Sequence, residues 1–166
     1  MFNSVHKNKK VLVTGHTGFK GSWVVSWLLE LGADVYGISN SIPSSPSLFE
    51  EAKMDQKITH YDIDIRDFEA LKKAVDQIQP DFVFHFAAQA IVKSSFTDPL
   101  LTFSTNVIGT ANLLESLRVL NRPCNVICIT SDKCYDNVEW TWGYRENDAL
   151  GGKDPYSASK GGAELV

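Results

Sequence analysis

A glycine-rich turn near the start of the chain constrains the fold more than any other feature of the sequence. The turn places Gly15, Gly18 and Gly21 after a short apolar segment, residues 11–13, and before apolar residues that recur at helical spacing. A buried strand, a tight turn and a helix in this order are typical of a dinucleotide-binding βα unit. The reason is that glycine lets backbone N–H groups approach a pyrophosphate at the N-terminus of the helix.

The spacing of this turn, G-x-x-G-x-x-G, differs from the usual G-x-G-x-x-G fingerprint, so a purely structural turn is the alternative interpretation. The position between a buried strand and an amphipathic helix favours cofactor binding. The predicted cofactor contacts in the turn are Gly15, Thr17, Gly18, Phe19, Lys20 and Gly21.

Strand-like and helix-like segments alternate along the whole chain. This alternation predicts an α/β fold of the Rossmann type, in which helices cover a doubly wound parallel sheet. The predicted strands are residues 11–13, 33–38, 57–63, 82–86 and 126–129, and the predicted helices are 24–31, 68–78, 98–121 and one that begins at Pro155. Asp67 and Asp98 are the expected N-caps of the second and third helices. The long connection 131–154 is of a kind that usually carries function.

Further candidate cofactor contacts follow the predicted strands. Ser39 and Asn40 follow the second strand, where an acid often binds the ribose 2′-hydroxyl of NAD. Because neither an acid nor an arginine for a 2′-phosphate stands there, NAD is favoured only mildly over NADP. The remaining candidates are Asp64, Ile65, Ala87, Ala88, Gln89 and Asn106. A plain strand-end turn is the alternative for most of them, and we expect Asn106 either to anchor backbone near the fourth strand or to be an exposed helix residue.

Ser131, Tyr156 and Lys160 are candidate catalytic residues for chemistry at a carbon that bears a hydroxyl. Tyr156 and Lys160 are one helical turn apart and therefore share a helix face. A nearby ammonium and a positively charged nicotinamide favour tyrosinate, so Tyr156 can take a proton from a sugar hydroxyl while hydride leaves the same carbon. Lys160 would also contact the nicotinamide ribose, and Ser131 would orient the hydroxyl. The alternative is an amphipathic helix with an unremarkable tyrosine and lysine.

Asp132 and Lys133 favour a dehydration over a simple oxidation or epimerisation. After oxidation at carbon 4 of a sugar, a base removes the proton on carbon 5 and an acid protonates the departing hydroxyl on carbon 6. Asp132 is the predicted acid, provided that burial keeps it protonated. Lys133 is a less obvious base, because it needs desolvation or cationic neighbours. A surface Asp-Lys pair at the start of a loop is the alternative.

Composition and charge argue against several classes of function. The formal net charge of −4 gives no reason to expect nucleic acid or an anionic membrane as a partner. No apolar run approaches the length of a membrane span, and the first residues lack a signal-peptide core, so we expect a cytoplasmic protein. Cys124, Cys128 and Cys134 lack paired C-x-x-C spacing, which favours reduced, buried thiols over a disulfide or a metal site.

Together these residues resemble the extended short-chain dehydrogenase/reductase superfamily and, within it, the CDP-glucose 4,6-dehydratases. The resemblance runs from residue 11 to residue 166, and its most specific segments are 15–21, 130–135, 142–146 and 151–156. The related dTDP-glucose dehydratases carry glutamate where this chain has Lys133, which favours the CDP-sugar branch.

The resemblance implies a tightly held NAD and conversion of CDP-glucose to CDP-4-keto-6-deoxyglucose, a step towards dideoxyhexoses of bacterial surface polysaccharides. It also implies a homodimer formed by the 98–121 helix and the helix that begins at Pro155. Members of this family are considerably longer, so residues 1–166 would be an incomplete NAD-binding Rossmann domain, truncated before the last strands and the nucleotide-sugar-binding part. Another nucleotide-sugar 4,6-dehydratase, a 4-epimerase and a non-catalytic NAD-binding module are the alternatives.

Overall fold

The computed structural model describes residues 4–166, which form two compact units. The first unit contains the chain up to Ala87 together with Asn112–Ile129, and the five strands of the described residues lie in it. The second unit contains Ala88–Ala111 and Thr130–Val166. The predicted cofactor turn thus belongs to the first unit, and the predicted catalytic residues belong to the second.

The elements follow the predicted alternation, with ends that differ by a few residues. The strands are β1 Lys10–Thr14, β2 Asp34–Ser39, β3 Thr59–Asp62, β4 Phe82–His85 and β5 Asn125–Cys128. The helices are α1 Phe19–Glu30, α2 Leu48–Glu51, α3 Phe68–Ile78, α4 Val92–Thr97, α5 Pro99–Phe103, α6 Gly109–Arg118 and α7 Pro155–Leu165. A π-helical turn, Ser104–Ile108, joins α5 to α6, and 3-10 turns occupy Met54–Gln56 and Asp132–Cys134.

The five strands form one parallel sheet in the order β3-β2-β1-β4-β5. Chain order runs outward from β1 to β3 on one side and from β4 to β5 on the other. The direction therefore reverses between β1 and β4, and open α/β sheets bind ligands beyond the carboxyl ends of the strands at such a point. The doubly wound parallel sheet predicted from the sequence is confirmed.

Two hydrophobic clusters hold the helices on the sheet, since side chains alternate between its faces along each strand. In one cluster, Leu12 of β1 and Val83 of β4 pack with Leu71 of α3 and Leu113 of α6. The other cluster is built around Val11, Val13, Val25, Leu28, Val35, Phe49 and Met54. Because β1 contributes to both cores, the position of its C-terminal end is set from both faces of the sheet.

Local signals in the sequence set the ends of several helices. The Asp67 carboxylate accepts a hydrogen bond from the Ala70 N–H at the start of α3, and Asp98 does the same for the Leu101 N–H in α5. Gly32 adopts a φ of +77° just after α1, a conformation that favours glycine. The predicted N-caps Asp67 and Asp98 are therefore confirmed, and a glycine in the left-handed region ends α1.

The helical region between β4 and β5 is less regular than the sequence predicts. Instead of one helix over 98–121, the structure has α5, the π-helical turn and α6, which ends at Arg118, with the short α4 before them. Asn106 lies in the π-helical turn and is 2% exposed. A π-helical turn inserts an extra residue into the helical repeat, often at a functional position.

In the second unit, α7 packs against α4, α5, the π-helical turn and the 3-10 turn Asp132–Cys134. The connection that follows this 3-10 turn closes through a bridge between Tyr135 and Leu150. Within it, the rings of Tyr135 and Tyr144 stack with centroids 5.2 Å apart, and Trp140 packs on Tyr144 at the same separation. The long connection is therefore a structured loop whose two ends are held together.

Cys134 is buried, while Cys124 and Cys128 are only half-buried, and all three are free thiols. Burial raises the pKa of the Cys134 thiol, so this cysteine is a protonated packing residue. Between residues 4 and 166 there is no group of three or more His, Cys, Asp or Glu side chains arranged to hold a metal ion. None of the helices over the same range has the length and apolar character that crossing a membrane requires.

We expect Leu113→Ala to destabilise the first unit, because Leu113 is fully buried in the cluster that α6 shares with the sheet. Removing a buried leucine side chain leaves a cavity and lowers the free energy of unfolding by about 2–5 kcal/mol. Urea denaturation would measure the loss. Ile42→Ala is the control, since Ile42 belongs to the same unit and is 43% exposed. Equal losses in the two variants would contradict the assigned core.

Candidate cofactor turn and catalytic helix

The turn between β1 and α1 has no room for a side chain at two of its positions. Gly15 adopts a φ of +70°, and a Cβ there would lie 2.6 Å from the Ala87 nitrogen. A Cβ on Gly21 would lie 2.2 Å from the Gly15 carbonyl oxygen. Both separations are shorter than van der Waals contact, so the geometry requires glycine. At Gly18 the nearest atom would be 3.3 Å away, which makes glycine less strictly necessary there.

The same turn leads directly into the N-terminus of α1. Gly18 is the N-cap residue of this twelve-residue helix and has no side chain to occupy the first N–H groups. Phe19 is 78% exposed and Lys20 is also exposed, so these two side chains lie outside the core. The N–H groups and the dipole of a helix start favour a phosphate group. The turn therefore has the shape and the polarity of a pyrophosphate site.

Thr17 ties the turn to the end of β2. Its hydroxyl lies 2.7 Å from Ser39 Oγ and donates to the Ser41 carbonyl oxygen at 2.6 Å. Thr17 is 4% exposed, so its side chain is buried within the protein. The two predicted cofactor contacts, Thr17 and Ser39, therefore bond each other, and this bond fixes the shape of the turn.

His16 is a buried residue of the turn that sequence reasoning missed. Its side chain is fully buried, and its Nε2 lies 2.8 Å from Nδ1 of His60 on β3. The ring packs edge-on against Phe49, with centroids 5.2 Å apart, and lies over Gly37, where a Cβ would be 2.5 Å from it. Burial, with a smaller effect from His60, lowers the pKa of His16 to about 4. The imidazole is therefore neutral near pH 7.

The ends of β2 and β3 meet in a polar cluster. Asn40 Nδ2 donates to Asp64 at 3.0 Å, and Arg66 Nε donates to both oxygens of the Asp64 carboxylate at 3.0 Å. The Arg66 guanidinium is the main reason that the pKa of Asp64 lies below its usual value. The sheet thus brings both a carboxylate and an arginine to Asn40. Neither residue follows β2 directly in sequence, because both lie just beyond β3, and the pairing of β2 with β3 brings them near.

Two other predicted contacts of the first unit are structural. The Ile65 side chain is 4% exposed and belongs to the core, and its carbonyl oxygen accepts from Asn112 Nδ2 at 3.0 Å. The Ala87 N–H donates to Thr14 Oγ1 at 3.3 Å. The Ile65 side chain is therefore a core side chain, and its predicted cofactor contact stays a prediction. Ala87 supports the glycine turn from the end of β4.

In the second unit, Asn106 anchors the backbone that follows β4 in the chain. Its Oδ1 accepts from the Gln89 N–H at 2.8 Å, and its Nδ2 donates to the Gln89 carbonyl oxygen at 3.0 Å. Gln89 Nε2 in turn donates to Thr102 Oγ1 at 2.9 Å, and the preceding Ala88 is half-buried. The buried amide of Asn106 is used within the protein, which matches the interpretation that it anchors backbone near the fourth strand.

Ser131 begins the 3-10 turn that contains Asp132 and Lys133. Its Oγ donates to Asp132 Oδ1 at 3.0 Å and accepts the Lys133 N–H at 3.2 Å. The Asp132 side chain is 84% exposed and the Lys133 side chain 56% exposed, with their charged atoms 4.0 Å apart. Among residues 4–166, no contact provides the burial that the acid role of Asp132 requires or the desolvation that the base role of Lys133 requires.

The helix α7 carries Tyr156 and Lys160 one turn apart on the same face. Tyr156 is half-buried, whereas Lys160 is 6% exposed. The helix starts at a defined point, because Asp154 Oδ1 accepts the Ser157 N–H at 2.9 Å. Since α7 packs against the 3-10 turn Asp132–Cys134, the structure brings the predicted catalytic residues together in one compact unit.

Three features define the class of protein: the sheet order, the glycine turn where that order reverses, and the Tyr-Lys pair on a later helix. Together they are typical of the short-chain dehydrogenases/reductases, a class of dinucleotide-binding α/β proteins. Comparison with known families refines this class. The family model of GDP-mannose 4,6 dehydratase matches residues 12–166, and the chain belongs to this family.

Individual relatives agree with the family. The chain is 52% identical over 160 residues to a CDP-glucose 4,6-dehydratase of Salmonella typhimurium, a match that covers 96% of this chain and 45% of the relative. A UDP-glucose 4-epimerase of Thermus thermophilus, solved in complex with NAD, has a TM-score of 0.79 and 34% identity over 94% of this chain and 48% of that chain. A UDP-glucose 4-epimerase of Brucella ovis, also solved in complex with NAD, has a TM-score of 0.80 and 30% identity, and the match covers 95% of this chain and 46% of that chain. The chain therefore spans about half the length of the relatives it matches.

We expect Gly21→Ala to destabilise the cofactor turn, because the added Cβ would lie 2.2 Å from the Gly15 carbonyl oxygen and the backbone would have to move. Overpacking of this kind lowers the free energy of unfolding by about 1–3 kcal/mol, which chemical denaturation measures. Gly143→Ala is the control, since a Cβ at Gly143 would have no atom within 4 Å. An unchanged unfolding midpoint for Gly21→Ala would show that the turn is not closely packed.

The buried His16 predicts a loss of stability at acid pH. Its pKa is about 4 in the folded protein and about 6.5 in an unfolded chain, so below pH 6.5 the unfolded state binds a proton that the folded state does not. The stability present above pH 6.5 should fall as the pH drops towards 4, by up to about 3 kcal/mol. Unfolding free energies at pH 7.5 and pH 4.5 would show it. In His16→Gln the difference between the two pH values should shrink, and an equal difference would refute the assignment to His16.

Proposed function

We propose that the intact protein is an NAD-dependent nucleotide-sugar 4,6-dehydratase that converts CDP-glucose to CDP-4-keto-6-deoxyglucose. The observation that carries this proposal is the packing of the Ser131-Asp132-Lys133 turn against the helix that bears Tyr156 and Lys160. A dehydration needs an acid next to the residues that bind and deprotonate the hydroxyl, whereas an epimerisation needs no such acid. The 52% identity to a CDP-glucose 4,6-dehydratase supports the choice of substrate.

The residues of the first unit fit a dinucleotide. Gly15 and Gly21 let the turn fold so tightly that β1 passes directly into α1, and Gly18 leaves the first N–H groups of α1 without a side-chain cap. The start of α1 would hold the pyrophosphate, and the Asn40–Asp64 pair would bind the adenosine end through its amide and carboxylate. When bound, NAD supplies the acceptor for the hydride from carbon 4 and returns that hydride to carbon 6.

Tyr156 and Lys160 perform the first proton transfer in this proposal. Tyr156 removes the proton from the carbon 4 hydroxyl, and the ammonium of Lys160 favours the tyrosinate that this requires. Lys160 is 6% exposed, so its charge acts with little screening by solvent. Ser131 orients the hydroxyl through the Oγ that begins the 3-10 turn.

Asp132 protonates the hydroxyl that leaves carbon 6, after the proton on carbon 5 has been removed. The Asp132 carboxyl is 84% exposed without substrate, so we expect the bound sugar itself to cover it. Excluding water in this way favours the uncharged acid. Lys133 stands beside Asp132 and is our candidate for the base that takes the proton from carbon 5, and the same ammonium would return a proton to carbon 5 when the hydride is added at carbon 6.

A 4-epimerase is the second candidate function. It is favoured by the similarity to the Thermus thermophilus UDP-glucose 4-epimerase and by the exposure of Asp132, because Ser131, Tyr156 and Lys160 alone suffice for oxidation and reduction at carbon 4. The two functions differ in their products, since an epimerase changes the configuration at carbon 4 and retains the oxygen on carbon 6.

We also propose that the protein forms a homodimer through α5, α6 and α7. Leu100 of α5 is 82% exposed, and Ile108 of the π-helical turn is 54% exposed. Large apolar side chains on the outside of neighbouring helical turns are typical of an interface between subunits.

The test is the product formed from CDP-glucose by protein expressed from its complete reading frame. We expect a 4-keto-6-deoxy sugar, identified by mass and NMR. Tyr156→Phe should lower kcat by at least about 100-fold while NAD stays bound, because only the phenolic oxygen is removed.

Tyr61→Phe on β3 is the control and should keep the turnover of the unmodified protein, since Tyr61 lies outside the candidate site. A product epimerised at carbon 4 would establish the second candidate function instead. Normal turnover by Tyr156→Phe would rule out Tyr156 as the base.

A further inference from the structure

The peptide N–H of Tyr156 is held by a residue outside α7. The first N–H groups of a helix have no partner within the helix. Pro155 has no N–H, and the Ser157 N–H is taken by Asp154. The Tyr156 N–H donates to Ser95 Oγ on α4, at 3.1 Å, and it also faces the Asp154 carboxylate. The backbone of the proposed base is therefore tied to a different segment of the same unit.

Ser95 is arranged to accept this hydrogen bond. Its side chain is fully buried, and its hydroxyl donates to the Val92 carbonyl oxygen at 2.7 Å. Because a hydroxyl has only one proton, this donation orients the oxygen and leaves a lone pair for the Tyr156 N–H. The adjacent Ser94 and Phe96 are exposed, so Ser95 is the position at which α4 is turned towards α7.

The carbonyl group of Tyr156 is held as well. Ser159 Oγ donates to the Tyr156 carbonyl oxygen at 2.7 Å and accepts from Asn106 Nδ2 at 2.8 Å. Ser159 is fully buried and Asn106 is 2% exposed, so water does not compete for these bonds. Both polar backbone groups of Tyr156 are thus bonded to buried hydroxyls, and the segment 88–111 controls both of them.

We propose that Ser95 is a positioning residue for Tyr156. By bonding the Tyr156 N–H from α4, Ser95 fixes the first turn of α7 relative to that helix and so helps to orient the phenol, and this role rests on the proposed function, in which Tyr156 is the base. Ser95 touches neither substrate nor cofactor in this assignment, because its hydroxyl is used by two backbone groups. Its effect lies in orientation, since displacing a catalytic group by about 1 Å can slow a reaction about 100-fold.

The experiment compares Ser95→Ala with Ser94→Ala in protein expressed from the complete reading frame. We expect Ser95→Ala to lower kcat by about 10–100-fold, with KM for CDP-glucose and the affinity for NAD changed by less than about 3-fold. Titration with NAD counts the active sites, so kcat can be given per active site. A merely structural defect would lower the amount of active protein and the melting temperature, but it would not lower kcat per active site selectively. Ser94→Ala, on the exposed side of α4, should behave as the unmodified protein.

The outcomes separate this inference from the proposed function. If the unmodified protein forms no 4-keto-6-deoxy product, the proposed function fails. If it does form that product and Ser95→Ala has the kcat of Ser94→Ala, the positioning role fails by itself. Should Ser95→Ala not fold, Ser95→Cys nearly keeps the volume but offers a much weaker acceptor. A selective loss of kcat in Ser95→Cys supports the role of Ser95, and an unchanged kcat overturns it.

Discussion

Where β1 ends, the backbone of Gly15 passes so close to Ala87 and Gly21 that neither glycine could carry a Cβ. This close approach brings together the end of β1, the end of β4 and the start of α1 at the point where the strand order reverses. Buried side chains hold the turn in place from the other side, since Thr17 is bonded to the end of β2 and His16 is packed over Gly37. A tight backbone with an open helix start is the physical basis of the cradle to which we assign the cofactor.

In the second unit, hydrogen bonds to the backbone of Tyr156 hold the start of α7 in a defined position. Tyr156 stands in the first turn of α7, where a helix has few internal hydrogen bonds and frays most easily. Ser95 and the Asn106–Ser159 pair bond its N–H and its carbonyl oxygen, so the first turn is held by α4 and the π-helical turn. The π-helical turn between β4 and β5 places Asn106 where its amide bonds Ser159, because a regular helix over 98–121 would place Asn106 differently.

The order and type of the strands and long helices could be predicted because each has a short-range signal. Alternation of apolar segments indicated the parallel sheet, and the N-caps Asp67 and Asp98 lie at the expected helix starts. The glycine turn and the Tyr156–Lys160 helix were also visible, because their chemistry depends on residues close together in sequence. The contact of Asn40 with Asp64 and the burial of Ile65 were not visible, since the first depends on the pairing of β2 with β3 and the second on which face of the sheet a side chain meets.

The sequence by itself determined the fold class, the position of the glycine turn and the family. Local periodicity and the sterically required glycines depend only on residues that are close together in sequence. Only the tertiary structure decided the surroundings of the site residues. It buried His16 and neutralised it, and it brought Asn40 to the Asp64 carboxylate that Arg66 also binds. It left Asp132 exposed and bonded Ser95 to the backbone of Tyr156. These properties depend on desolvation and on hydrogen bonds between distant segments, which no pattern along one stretch of chain records.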